Sequence, residues 1–378
     1  MRTLRSSGPT RAAFRRQRRF QAGLTLIELM VSIVIGMLLI VAIATLIATQ
    51  SSSRSEIDRS GKMIENGRYG LQTIASDVQL AGYWGELVNQ PTATVLSDPC
   101  SVGVADLTAA MGLHVQGYNS PATLPVSLQA CVKNHKPGTD VLVVRHADPD
   151  TSGIETAGEV DLAKVTPGQV YVQTGLDATG VIMATAVAAG SSDAAANTAA
   201  FTLKKKDKVK LAILRKYVVD IYFISKCSVP AANGTCATTA DGGTPIPTLK
   251  RVELGASNSA AACSPAAAPC AAFTTVTLAE GIENLQFDYG LDTDNDGAAN
   301  GVDGNGGTFA FADWANVVSL KTYILARSLE KSASFTDDKT YSMGSLGAVA
   351  VAAGEEGFKR HVFVQSSRII NPSGRRAL

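Results

Sequence analysis

Hydrophobic positions run almost unbroken from Leu24 to Thr49, and the only charge among them is Glu28, one turn inside the start. About 20 apolar residues in helical form cross a bilayer, so this run is long enough to span one. A carboxylate deep in lipid costs about 2.5–3.5 kcal/mol on insertion scales, so Glu28 needs a partner. After residue 50 the continuous pattern becomes periodic. Ile57, Ile64, Leu71 and Val78 recur every seven residues with Ile74 on the same side, and polar residues fill the other faces. That spacing predicts an amphipathic continuation of the helix over 50–82, terminated near Ala81–Gly82. One helix of about 55 residues, near 80 Å at 1.5 Å per residue, is therefore expected, with 24–49 in a membrane or a packed helical core.

Beyond residue 83 the pattern switches to strands. TDVLVVRH (139–146), QVYVQT (169–174) and KLAILRKYVVDIYFIS (210–225) are rich in β-branched and aromatic residues. PTLKRVEL, FTTVTL, NLQFDYG, VVSLKTYIL and KRHVFVQSS continue the theme. Alternating faces predict an antiparallel sheet with one side covered by the helix. Ala184–Ala200 and Ala256–Ala272 read as small-residue, low-complexity loops. The expected fold class is α+β, a long N-terminal helix on an antiparallel β-sheet with long, disulfide-stapled loops, and 83–378 as the β-rich globular part.

Charge changes the picture at the N-terminus. The first 23 residues hold seven arginines (Arg2, Arg5, Arg11, Arg15, Arg16, Arg18, Arg19) and no acid. Such a flank keeps its side of an apolar segment in the cytoplasm, so the bulk of the chain is expected outside. Without these arginines, 27 basic residues face 33 acidic ones, a net charge of −6. Nothing in that balance points to nucleic acid.

Leader charge, Gly23, GLTLIELMVS and the apolar run together resemble a type IV prepilin. The resemblance implies cleavage of a 1–23 leader after Gly23 by a prepilin peptidase, and Leu24 as the new, N-methylated terminus. Glu28 becomes the fifth mature residue, where the family keeps a glutamate. The chain departs from most pilins in starting with leucine rather than phenylalanine. The new amine at Leu24 and the Glu28 carboxylate of a neighbouring subunit would neutralise each other and set subunit register, a use of buried ion pairs that is better attested than stabilisation. A secretory signal peptide cut at Ala42–Ile43–Ala44 fits less well, because its apolar core spans only about 7–15 residues.

ENGRYGLQTIASDVQLAGYWG (65–85) resembles the PilW-type minor pilins, as do EGIENLQFDYGLDTDNDG (280–297) and VVSLKTYILARS (317–328). The middle, about 90–270, carries no such match. By resemblance the protein is a pilin-like inner-membrane protein, single-pass with its N-terminus cytoplasmic, that later joins a pilus on the cell surface. Its implied partners are the major pilin, other minor pilins, the prepilin peptidase, the inner-membrane assembly platform and a tip adhesin. Priming or tipping a type IV pilus is the implied role, with motility and adhesion as outputs. A minor pseudopilin of type II secretion and a calcium-dependent tip adhesin are the alternatives. Tyr69, Tyr83 and Trp84 are expected to pack helix against sheet.

Six cysteines (Cys100, Cys131, Cys227, Cys236, Cys263, Cys270) all follow the apolar run, in an oxidising compartment. Fifteen pairings are open, and sequence neighbours are the simplest choice. Zinc is disfavoured, since no CxxC occurs and the four histidines are dispersed. DTDNDGAANGVD follows the D-x-[DN]-x-[DN]-G pattern of a calcium loop. It offers Asp292, Asp294, Asp296, the Ala298 carbonyl, Asn300 and Asp303, enough oxygens for structural Ca2+. Position 12 is Asp rather than Glu, and a solvated turn between strands is the competing reading. KKKDKVK (204–210), without interleaved aromatics, reads as a solvated hairpin. His114, His135, His146 and His361 have no partners by spacing. Nucleophile-elbow, zincin, phosphate-loop and dinucleotide motifs are absent, so an interaction protein and not an enzyme is expected.

Overall fold

The computed structural model describes residues 23, 25–87, 92–93, 95–175, 181–186, 193–263, 268–304, 307, 309–332 and 335–376, without the side chains of 193–195 and 302–303. The arginine leader and Leu24 lie outside the described residues. The chain forms two compact units, 1–56 and 57–378.

Helix α1 spans Leu26–Leu80, 55 residues without interruption. Gly82 ends it with φ +71°, a left-handed conformation that suits glycine. The Gly82 amide donates to the Arg145 carbonyl, and the Asn371 side-chain amide caps the carbonyls of Leu80 and Ala81.

The remaining helices are short: α2 (Val104–Ala109), α3 (Val126–Gln129), α4 (Asp193–Ala200), α5 (Phe311–Trp314) and α6 (Ile370–Arg376). The strands are β1 (Val115–Tyr118), β2 (Val141–Ala147), β3 (Glu155–Thr156), β4 (Glu159–Val160), β5 (Val170–Gln173), β6 (Ile182–Thr185), β7 (Leu214–Ser225) and β8 (Thr248–Ser257). They continue with β9 (Cys270–Glu280), β10 (Ile282–Leu291), β11 (Gly301–Asp303), β12 (Val317–Arg327), β13 (Thr340–Ser342), β14 (Ala348–Ala350) and β15 (Arg360–Arg368).

Where one antiparallel sheet is expected, the described residues form two large ones, beside the two-stranded pairs β3-β4 and β13-β14. A seven-stranded sheet centres on β7, which pairs with β2, β5 and β8; β1, β6 and β9 extend it outward. A four-stranded sheet has the order β11-β10-β12-β15. Every ladder in both is antiparallel. The sheets join through a single residue, Gly281, between β9 and β10. Its φ is +73°, and a Cβ there would lie 2.6 Å from the Arg327 carbonyl oxygen, so only glycine fits the corner.

The second half of α1 packs over both sheets. Leu71, Ile74 and Val78 meet Leu142, Val144, Ile224 and Leu249 of the first sheet, and Leu285, Phe287 and Ile324 of the second. The other face of the first sheet is also covered, by Trp84, Leu107, Met111 and Leu128. This is why all seven residues of β2 are buried and the expected in–out alternation fails there.

The seven-residue stripe on α1 is corrected in part. Ile57 is 69 % exposed and Ile64 43 %, whereas Met63, Gly67, Gly70, Leu71, Ile74 and Val78 are buried. A seven-residue repeat drifts about 20° per heptad around a helix with 3.6 residues per turn, so the early members rotate off the sheet. The 184–200 stretch is not a plain loop either, since β6 reaches Thr185 and α4 occupies Asp193–Ala200; 187–192 lie outside the described residues.

Candidate functional site

In the first unit, the large apolar side chains of α1 from Leu26 to Ile47 are half to three-quarters exposed. The helix is long and apolar enough to cross a membrane. Glu28 sits in its first turn. Its Oε2 accepts from the Thr25 amide and hydroxyl, each at 3.4 Å, and its own amide donates to Thr25 Oγ1 at 3.3 Å. This reciprocal capping box satisfies two orphan amides and places a carboxylate at the positive end of the helix. No cation pairs with Glu28 among the described residues. Gly23 is exposed.

In the second unit, the 65–85 segment owes several of its residues to packing. Asn66 donates to the Glu280 carbonyl at 3.0 Å. A Cβ on Gly67 would lie 2.3 Å from the Phe363 ring, and one on Gly70 2.9 Å from Leu249, so these glycines let the helix approach both sheets. Trp84 is fully buried and stacks on Tyr217 at 5.4 Å, and the Arg215 guanidinium lies 5.2 Å over the Tyr83 ring. Tyr69 does not pack as expected; it is 51 % exposed, on the helix face turned from the sheets.

The acidic loop joins β10 to β11 and is therefore a β-connection, not a helix–loop–helix. Carboxylate oxygens of Asp292, Asp294 and Asp296 lie within 4.8 Å of one another. Asp292 is fully buried and already engaged: it accepts from the amides of Asn295 (2.7 Å) and Gly297 (3.0 Å) and pairs with Arg376 at 3.3 Å. Burial opposes its ionisation, but the Gly297 amide, Arg376 and the Asn295 amide outweigh it and hold the carboxyl below the usual range. Asp296 accepts from the Ala298 amide at 2.7 Å, and Asn300 Oδ1 from the Thr293 amide at 2.8 Å. Asp303 lies opposite Tyr289 in the ladder; its side chain is outside the described ones.

Two comparisons bear on identity. Residues 18–44 match the family model described as the prokaryotic N-terminal methylation motif, and residues 222–371 match that of the Type IV Pilus-assembly protein W. These two stretches are similar to a PilW-type minor pilin. The first match covers Gly23, Glu28 and most of the exposed apolar helix, and the second covers the whole four-stranded sheet with the acidic loop. The 65–85 segment lies outside both. No curated protein and no solved structure matches the chain. Methylation motif and apolar helix together fit a pilin anchored in the inner membrane.

The six cysteines are all bonded, Cys100 to Cys131, Cys227 to Cys236 and Cys263 to Cys270. The lysine run is a tight turn, with Lys205 and Lys208 bonded through their backbones and Lys210 paired with Glu159.

Among the buried polar pairs that sequence spacing misses is one between histidine and aspartate. His146 Nε2 and Asp77 Oδ1 meet at 2.7 Å between α1 and β2, 69 residues apart. Burial lowers the His146 pKa, but the hydrogen bond and charge of Asp77 raise it further, for a net rise. Asp220 lies close by, raised chiefly by burial and then by Asp77, with Arg251 opposing at 3.4 Å. Asp77, three residues after Ile74 on the buried helix face, is the one local signal of this pair, and nothing local names its partner.

Proposed function

We propose that this pilin inserts with its N-terminus cytoplasmic, is cut after Gly23 and methylated at Leu24, and assembles with other minor pilins to prime or tip a type IV pilus. The observation that carries this reading is the exposed apolar half of α1 with one acid, Glu28, that has a helix cap but no cation among the described residues. Such a surface is stable only in lipid or among other helices. In a fibre the Leu24 amine of a neighbouring subunit would supply the missing charge. The major pilin, the prepilin peptidase, the assembly platform and a tip adhesin are the partners this role requires. N-terminal mass spectrometry of the mature protein tests the processing, with a methylated Leu24 expected; an intact Met1 or a start near Thr45 would refute it. Glu28→Ala is expected to leave membrane insertion intact and abolish incorporation into pili. Normal incorporation of that variant would sink the register role. The same helix would serve a type II pseudopilin, in which case deletion would impair protein export and spare piliation.

A second reading rests on the 4.8 Å cluster of Asp292, Asp294 and Asp296. Structural Ca2+ there would draw on Asp294, Asp296, the Ala298 carbonyl and Asn300 and compete with Arg376 for Asp292. Calcium titration followed by thermal unfolding tests it: Asp294→Asn with Asp296→Asn should remove any calcium-dependent rise in Tm. Loss of surface binding with normal piliation in that variant would favour a calcium-dependent adhesin; loss of piliation would favour an assembly part.

A further inference from the structure

A cleft of about 440 Å³ opens between α6, α5, the turn at Ala110–Gly112 and the chain at Thr92–Ala93. That volume lies within the ~300–1,000 Å³ range of small-molecule sites. Met111, Phe311, Ala315 and Pro372 make most of its wall apolar, and among the described residues no carboxylate lines it. Three basic side chains do: His114, Arg375 and Arg376.

Two of the three are accounted for. Arg376 pairs with the Asp292 carboxylate and donates to the carbonyls of Asp292 and Ala315 and to Asn316 Oδ1. His114 donates from Nε2 to the Val317 carbonyl at 2.7 Å. Burial first, and then the charges of Arg376, Arg145 and Arg375, hold it down at about 4, so it is neutral at pH 7.

Arg375 differs. Its Nη1 is buried with no hydrogen-bond acceptor, and no acid pairs with it among the described residues. Burial alone depresses its pKa. A half-buried guanidinium with one desolvated nitrogen and no counter-charge among the described residues is an unfavourable arrangement that an anion would relieve. The net charge to be met is one, because Asp292 neutralises Arg376 and His114 is uncharged.

We infer that this cleft is a binding site for a small organic monocarboxylate, whose carboxylate pairs with Arg375 and whose hydrocarbon body lies against Met111, Phe311 and Pro372. A guanidinium fork matches a carboxylate in two parallel hydrogen bonds. The apolar wall selects an aliphatic or aromatic acid over a bare inorganic anion. The site is separate from the assembly helix, so it stands whether or not the proposed pilus role holds.

Isothermal titration of the full-length, detergent-solubilised protein tests the site, with 3-phenylpropionate and hexanoate as probes. The uncharged 3-phenylpropanamide and inorganic phosphate serve as controls. The acids should bind, and the amide and phosphate should bind roughly tenfold more weakly or not at all. Arg375→Gln should weaken acid binding roughly tenfold, with Arg375→Lys between it and the wild type. Phe311→Ala, at the cleft rim, should weaken phenylpropionate without touching the charge. Equal binding of acid and amide, tighter binding of phosphate, unchanged affinity in Arg375→Gln and Phe311→Ala, or no acid binding at millimolar concentration would each overturn the inference.

Discussion

At the scale of single residues, the protein places two buried histidines under opposite constraints. His114 is held at about 4 by burial and three arginines. Its native pKa lies below the ordinary 6.5, so its contribution to stability is full above pH 6.5 and is lost as pH falls through 4. The loss amounts to about 3 kcal/mol. His114→Gln keeps a donor for the Val317 carbonyl and should flatten this acid limb in urea unfolding curves between pH 7 and 4. His146 behaves in the reverse sense. Its pKa is raised on balance, so the Asp77 pairing is at full strength below 6.5 and fades as pH rises past the native value. Asp77→Asn should remove that alkaline loss, seen as converging stabilities of the two proteins at high pH. At the helix start, Thr25→Val breaks the capping box and should reduce helix stability there by about 1 kcal/mol, read by amide hydrogen exchange over 26–29.

At the scale of elements, the approach of α1 to the sheets sets the tolerance of its glycines. Gly67→Leu drives a side chain into Phe363 and should destabilise the fold by roughly 1–3 kcal/mol in denaturant titrations. Gly61 has open space around its Cβ direction, so Gly61→Ala should instead stabilise by about 0.5–1 kcal/mol through helix propensity. These elements differ in how far the sequence exposes them. The helix was legible because an apolar run and a Gly82 stop are local signals, and β7, β10 and β12 because β-branched runs are. The division into two sheets was not, since it depends on pairings such as Val144 with Asp220 and Tyr323 with Val364 that no local pattern encodes. Ile57 and Ile64 misled because a repeat of seven looks in register on paper while it winds around the helix. In the candidate sites, Glu28 was legible as a lone acid in an apolar run. Arg376 against Asp292, 84 residues away, was not, and neither was the uncompensated Arg375.

At the scale of the whole molecule, three covalent links tie loops of different length. In the chain-entropy picture, opening Cys100–Cys131, 31 residues apart, should cost about 3.5 kcal/mol. Opening Cys263–Cys270, 7 apart, should cost about 2.5 kcal/mol. Paired Cys→Ser variants compared by thermal unfolding should therefore rank in that order. The passage from β9 to β10 through Gly281 has a mechanical corollary. In the filament proposed above, tension would reach the subunit along α1, whose buried positions from Met63 to Val78 belong to one core with both sheets. With no slack linker between those sheets, neither can be peeled away alone. Such a load would pass to both hydrogen-bonded sheets together rather than to one of them.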